Sequence, residues 1–315
     1  MSTGRVTRPG SGLGRPKSPN RNRFKAGKGQ GKSSLLTSGT KAWALGLFLA
    51  FGGIFTSSTL YLTDHGMDPY QFYSNMANPY MRFVHVPAGL RREEIAQKFK
   101  EALSWNSTQV TAFLDSAPRD DRGYLDGYFL PGDYFVSIHA TGKDVAKQML
   151  TAFNVQVGNQ ILATGASRAA KGSAASFKSK INLDTAVRIA SIIQKEAAGK
   201  ADANLVSGVI WNRLFKGMDL EMDATLQYVK GTSTDWWPQV ASKDKFIDSP
   251  FNTYENPGLP PTAISNPSIA SIAAAYAPAK TNCLFYLHDN NGIFHCTSTY
   301  QAHVDNIQKY LVGTK

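Results

Sequence analysis

Cysteine is nearly missing from this sequence: Cys283 and Cys296 are the two it has, and neither belongs to a Cys-x-x-Cys pair. That scarcity excludes a multi-disulfide scaffold. With six scattered histidines and no His-Glu-x-x-His segment, zinc motifs are missing as well, so no metal and no cofactor is expected. Acid is absent from residues 1–41, which carry ten bases: Arg5, Arg8, Arg15, Lys17, Arg21, Arg23, Lys25, Lys28, Lys32 and Lys41. Taking those ten from the net charge of +11 leaves +1 for the rest, so the basic balance says nothing about what the folded part acts on. Charge of either sign is absent from the 21 residues Ala42 to Leu62. Large apolar side chains are sparse in 158–180, a Gly, Ala, Ser and Lys stretch that reads as a flexible insertion.

What is present divides the chain. Residues 1–41 are rich in Gly, Ser, Pro and Asn and are expected to be a disordered basic cytoplasmic tail rather than a nucleic-acid arm. The run 42–62 is long enough to cross a bilayer as one helix, with Trp43 and Tyr61 near its ends. A cleaved signal peptide is the rival, but 41 residues is a long leader and the run exceeds a usual apolar core of such a peptide. The basic tail puts the N-terminus in the cytoplasm and the rest outside, a single-pass protein of the cytoplasmic membrane. Residues 63–80 read as a tether. Over 81–122 come an alternating strand at Arg82–Val86, a helix through Ile95, Ala96, Phe99 and Leu103, and a second helix capped by Ser107. This pattern resembles a small LysM-like module, a fold associated with glycan chains; an α/β packing unit with no ligand has the same pattern. Residues 123–315 form the remainder, giving an α+β chain with one transmembrane helix, a LysM-like module and a mixed α/β domain.

The richest stretch is Ile189–Gly199. Leu183, Ala186, Ile189, Ala190, Ile193 and Ala197 recur at three- and four-residue steps, a buried helical stripe. Asn182 or Asp184 suits its start and Gly199 its stop. Glu196 then falls in the last turn, where the helix end disfavours an anion by about 0.3–1 kcal/mol and apolar neighbours favour the protonated form. A carboxyl held neutral near pH 7 is what a general acid requires. A surface Glu balanced by Lys195 is the alternative. Further on, a helix runs from Asp202 to Leu214, and Met218–Tyr228 alternates Glu221, Asp223, Thr225 and Gln227 as an extended segment would. Trp236-Trp237-Pro238 reads as a sugar platform or a loop plug. Ser249–Tyr254 and Gly258–Pro261 form a rigid loop that fixes polar donors. Cys283 and Cys296 flank a hairpin whose tip is Asn290-Asn291-Gly292, and whether they pair stays open, because that turn does not set them directly opposite.

In this order the segments resemble the MltG-type (YceG-like) endolytic murein transglycosylases. The likeness rests on Ala190–Glu196, Asn212-Arg213-Leu214, Asp223-Ala224-Thr225 with Tyr228, Pro250–Tyr254 leading to Gly258–Pro261, and Ile264–Pro267. It implies cleavage of peptidoglycan glycan strands between N-acetylmuramic acid and N-acetylglucosamine, leaving a 1,6-anhydro end and terminating strand elongation. In the family the helix motif commonly reads Glu-Lys-Glu with the second Glu catalytic; here the first is Gln194, so the role falls on Glu196. Asn252 and Tyr254 are candidate donors to the substrate acetamide or to developing charge, or else braces of their own loop; Glu221 and Asp223 are candidate supports that orient them or the acetamide, and Thr225 and Asn212 complete the candidate substrate-binding set. Partners would be glycan strands, the cytoplasmic membrane and peptidoglycan synthases, with no nucleic acid. Ala224 stands where proline is usual, Phe251 where tyrosine is usual, and Phe294 where the family has a histidine, so the neighbouring His295 is given no role. A noncatalytic wall-binding scaffold and a muramidase-type hydrolase are the rival readings.

Overall fold

A computed structural model describes residues 68–159, 181–197 and 202–313 of the chain. The expected tail 1–41, the span 42–62, nearly all of the insertion 158–180 and the stop at Gly199 lie outside the described residues. Among the described residues no helix is long and apolar enough to cross a membrane. Among the described residues the architecture is mixed α/β, with short two-stranded sheets and far more helix than strand.

Two hydrophobic cores organise the chain. The first begins after helix α1 (Pro69–Ala77), which Asp68 caps by accepting from the Tyr70 N–H. Strand β1 (Met81–Val86) buries Val84 and Val86 and turns Phe83 and His85 outward, the alternation of a half-buried strand. Helix α2 (Arg92–Leu103) lays Ile95, Ala96, Phe99 and Leu103 on that face. Helix α3 (Ser107–Leu114) follows; its cap is Asn106, which accepts from Gln109 N, while Ser107 is its first residue, one position past where the cap was expected. A small hairpin, β2 (Arg119–Asp120) with β3 (Gly123–Tyr124), precedes β4 (Gly132–Ser137). β4 pairs antiparallel with β1, Met81 opposite Ser137 and Val86 opposite Gly132. The strand that completes this unit therefore lies beyond residue 122. Helix α4 (Gly142–Val157) closes it, opened by a capping box between Thr141 and Asp144. Phe99, Trp105, Phe113 and Phe129 pack ring to ring at 4.5–6.1 Å at its centre. α4 starts so close to α3 that a Cβ on Gly142 would come within 2.1 Å of the Gln109 carbonyl oxygen, so only glycine fits.

The second core surrounds helix α5 (Leu183–Glu196), the predicted stripe. Ala186, Val187, Ile189, Ala190, Ile192 and Ile193 are all fully buried, and Asn182 caps the start by accepting from Thr185 N. Burial wider than one stripe means α5 is covered on several sides. Its neighbours include α6 (Ala203–Phe215), α7 (Asp223–Lys230) and α8 (Ile269–Tyr276). The hairpin β5 (Phe285–His288) with β6 (Phe294–Thr297) and the closing helix α9 (Tyr300–Ile307) complete the chain order. Cys283 and Cys296 form a disulfide across the hairpin base, Cα atoms 5.7 Å apart. The register sets Cys296 opposite Tyr286, so the bond runs diagonally to a residue just before β5.

The structure corrects two elements. Pro69–Ala77, inside the expected tether 63–80, is helix α1, whose Phe72 ring meets Phe83 at 6.1 Å and Phe135 at 5.2 Å. Met218–Tyr228 was expected to be extended throughout, yet α7 starts at Asp223 and buries Ala224, Thr225 and Leu226. Its polar residues fall on alternate positions by coincidence over barely two turns, a length at which the two periods are hard to separate.

Candidate active site

Glu196 is the last residue of α5, and its carboxyl reaches two other elements. Oε2 accepts a hydrogen bond of 2.8 Å from the Tyr286 hydroxyl on β5. Oε1 accepts a longer one, 3.4 Å, from the backbone N–H of Ala224 in the first turn of α7, where helical N–H groups lack intrahelical partners. The carboxyl thus sits between the C-terminal end of one helix, which disfavours negative charge, and the N-terminal end of another, which favours it. Burial decides the balance: desolvation holds the Glu196 carboxyl above its ordinary value of 4.5. The Tyr286 and Ala224 hydrogen bonds pull it down, and the neighbouring Asp223 pushes it up.

A cavity of about 520 Å³ opens in front of this carboxyl. Its walls include Glu221 and Met222 from the segment before α7, Asp223, Tyr254 and Lys245 from the long loop, Tyr286 and His288 from the hairpin, and Tyr300 and His303 from α9. Tyr254 donates to Asp223 Oδ1 at 2.6 Å, and burial with that carboxylate keeps its phenol protonated far above the usual range. Glu221 adopts φ 52°, a left-handed backbone a residue with a Cβ rarely takes. It is held there by its N–H to the Thr253 carbonyl and by Arg213, whose guanidinium meets Glu221 Oε2 at 2.7 Å. The Arg213 side chain is only 6% exposed. It also donates to the carbonyls of Asp219, Leu220 and Leu284, and lies over the Phe285 ring, tying α6, the Glu221 segment and β5 together.

Of the residues singled out in the sequence, Glu196, Glu221, Asp223 and Tyr254 share this cavity. Asn252, Thr225 and Asn212 do not line it and act as its supports. Asn252 is completely buried; its amide donates to the carbonyls of Lys245 and Ile247 and accepts from Tyr254 N, so its hydrogen-bonding groups serve the loop. Thr225 is equally buried, bonded to Met222 O and Thr253 Oγ1. Asn212 donates to the carbonyls of Thr281 and Cys283, fixing the approach to β5. His295 pairs with Asp289 and stacks on Tyr310 at 3.8 Å, away from the cavity lining. Gln194 points elsewhere as well, accepting from Ser268 N and Ser271 Oγ at the start of α8. The tryptophans form a plug: Trp237 donates to Glu94 and lies under the Lys195 ammonium at 3.5 Å. Sequence reading gave no role to Arg213, Tyr286, Lys245, His288, Tyr300 or His303. Arg213 at least stands inside a motif already noted; Lys245 comes from the loop after α7, and the others are brought to the cavity by a hairpin and a helix far along the chain.

Among the described residues no group of three His, Cys, Asp or Glu side chains converges as a metal site would require. A family model, described as the YceG-like family, matches residues 42–309. A protein named endolytic murein transglycosylase from Bacillus subtilis is 29% identical over 274 residues, covering 80% of this chain and 72% of that relative. One of the same name from Streptococcus pneumoniae is 25% identical over 262 residues, 74% of this chain and 45% of the relative, so the match spans less than half of that longer protein. The crystal structure of a YceG-like protein from Listeria monocytogenes superposes with a TM-score of 0.58 at 23% identity, covering 80% of this chain and 89% of that one, a likeness of fold.

Proposed function

Because the chain belongs to the YceG-like family, we propose that it is an endolytic murein transglycosylase, a lyase that cuts peptidoglycan glycan strands internally. The observation that carries the reading is the Glu196 carboxyl, held toward its protonated form by burial at the wall of a cavity of about 520 Å³, a volume within the range of ligand sites. Glu196 gives its proton to the oxygen linking N-acetylmuramic acid to N-acetylglucosamine as positive charge develops at the muramoyl C1. The C6 hydroxyl of the same sugar then bonds to C1, and the Glu196 carboxylate takes the hydroxyl proton. One C–O bond breaks, one forms, and the acid ends as it began; water is not a reactant. Asp223 with Tyr254, and Glu221 with Arg213, present polar groups to the sugar and shape the wall around it.

The wider reading follows the sequence. Residues 42–62 anchor the chain in the cytoplasmic membrane as a single span with residues 1–41 inside. The β1–α2–α3–β4 unit is a LysM-like module that engages the glycan. Cutting nascent strands beside the synthases ends their elongation. The decisive experiment digests purified sacculi with the detergent-solubilised full-length chain, wild type against Glu196→Gln. Anhydro-ended products are expected to fall by about 10²–10⁴-fold, the usual contribution of a general acid, while sacculus binding persists. Undiminished release by the variant overturns the assignment. Products one water heavier, with reducing ends, identify a hydrolase instead.

A further inference from the structure

The assignment of Glu196 as the acid leaves open what holds its carboxyl still and what receives the charge when the proton leaves. Resting on that assignment, we propose that Tyr286 is the positioning residue for Glu196: its phenol fixes Oε2 in place and steadies the carboxylate formed when the proton passes to the glycosidic oxygen. Among the described residues the hydrogen bonds to this carboxyl are two, and the phenol's, at 2.8 Å, is the shorter; that from Ala224 N is 3.4 Å.

Tyr286 is itself firmly held. Its ring stacks on Phe294 from the paired strand, centroids 5.2 Å apart at 19°, and meets His288 edge-on at 6.1 Å. Its hydroxyl also lies 3.6 Å from the Met222 sulfur, a weak acceptor that does not compete with a carboxylate. Its register partner on β6 is Cys296, which the disulfide ties to Cys283. Burial and the nearby Glu196 keep the phenol far above its ordinary value of 10, so it donates and does not ionise at any working pH. Throughout the reaction the phenol keeps its own proton; the proton that moves belongs to Glu196.

A donor bonds more strongly to an ionised acceptor than to a neutral one. The Tyr286 contact therefore strengthens as Glu196 loses its proton, and an interaction that grows toward the transition state raises kcat and leaves KM alone.

The test is Tyr286→Phe in the full-length chain, which keeps the stacked ring and removes only the hydroxyl. kcat on sacculi is expected to fall on the order of 10- to 100-fold with KM unchanged. The acid works only while protonated, so activity falls as pH rises through its pKa. Removing a donor that favours the anion raises that pKa, and the alkaline limb of the kcat profile moves to higher pH. A ring-fluorinated tyrosine at 286, whose hydroxyl is more acidic and a stronger donor, moves the limb to lower pH; it keeps the native shape should Tyr286→Phe fold poorly. A limb that stays put in both variants, whether or not kcat falls, overturns the proposal and reduces Tyr286 to a packing residue. If Glu196→Gln stays active, the acid assignment fails instead; if it is dead while the limb is unmoved, only the role of Tyr286 fails.

Discussion

Glu196 was legible as a special residue because a helical stripe with a charged group in its last turn can be read without any tertiary contact. Its partners were not. Tyr286 lies 90 residues later, and only the β5–β6 register turns its hydroxyl toward α5. Asn252 and Tyr254 share one loop, and no spacing says that the amide braces the backbone while the phenol faces the cavity; the bonding of Asn252 to Lys245 and Ile247 decides it. A raised carboxyl has a consequence for stability that can be measured. The folded state holds the Glu196 proton more tightly than the unfolded chain. Between the ordinary value of 4.5 and the raised one the native state therefore binds more protons, and unfolding free energy falls as pH rises through that window. Glu196→Gln is neutral at every pH. Scanning calorimetry at pH 8 is expected to show the variant melting higher than wild type, with the gap closing below pH 4.5; a gap independent of pH contradicts the buried-acid picture.

At the scale of elements, apolar periodicity marked α2, α5 and α6 and the alternation marked β1. Short elements were harder. The polar alternation of 221–227 masked α7, because a helix of two turns at a protein surface shows too little of its period. The hairpin was visible from its Asn-Gly tip, while the disulfide at its base was not, since Cys283 precedes the strand and only the curl of the chain brings it near Cys296. That bond closes a loop with a separation of 13 residues, and in the chain-entropy view such a link contributes about 3 kcal/mol. Reduction, or replacement of both cysteines by alanine, is expected to lower stability by that order and to lower kcat more than KM, because β5 carries Tyr286. Chemical denaturation beside a kinetic assay checks this; unchanged kinetics in the double variant would show that the strands hold Tyr286 without the bond.

On the scale of the whole molecule, the sequence separated a small N-terminal unit from a larger one but carried no hint of how firmly they are joined. The turn after β1 is gripped by Asn266, which is almost fully buried. Gly89 N donates to the Asn266 carbonyl, Asn266 N to the Leu90 carbonyl, and the Asn266 side chain accepts from Leu90 N. Asn266→Ala is expected to destabilise the protein by about 1–3 kcal/mol and to broaden or split the calorimetric transition as the two cores lose cooperativity; one sharp transition at the wild-type temperature would refute this. Beside that grip, Arg92 and Tyr228 meet the buried Asp126, and Trp237 covers Lys195. Dissecting the protein is constrained accordingly. A fragment cut at residue 123 would strip Asn266 of Gly89 and Leu90, Asp126 of Arg92, the Tyr228 ring of Arg91, and Lys195, next in the chain to Glu196, of the Gly89 carbonyl. A useful piece for expression therefore keeps the β1–β4 unit together with the larger one, and the N-terminal unit serves the catalytic body as scaffolding, whatever else it grips.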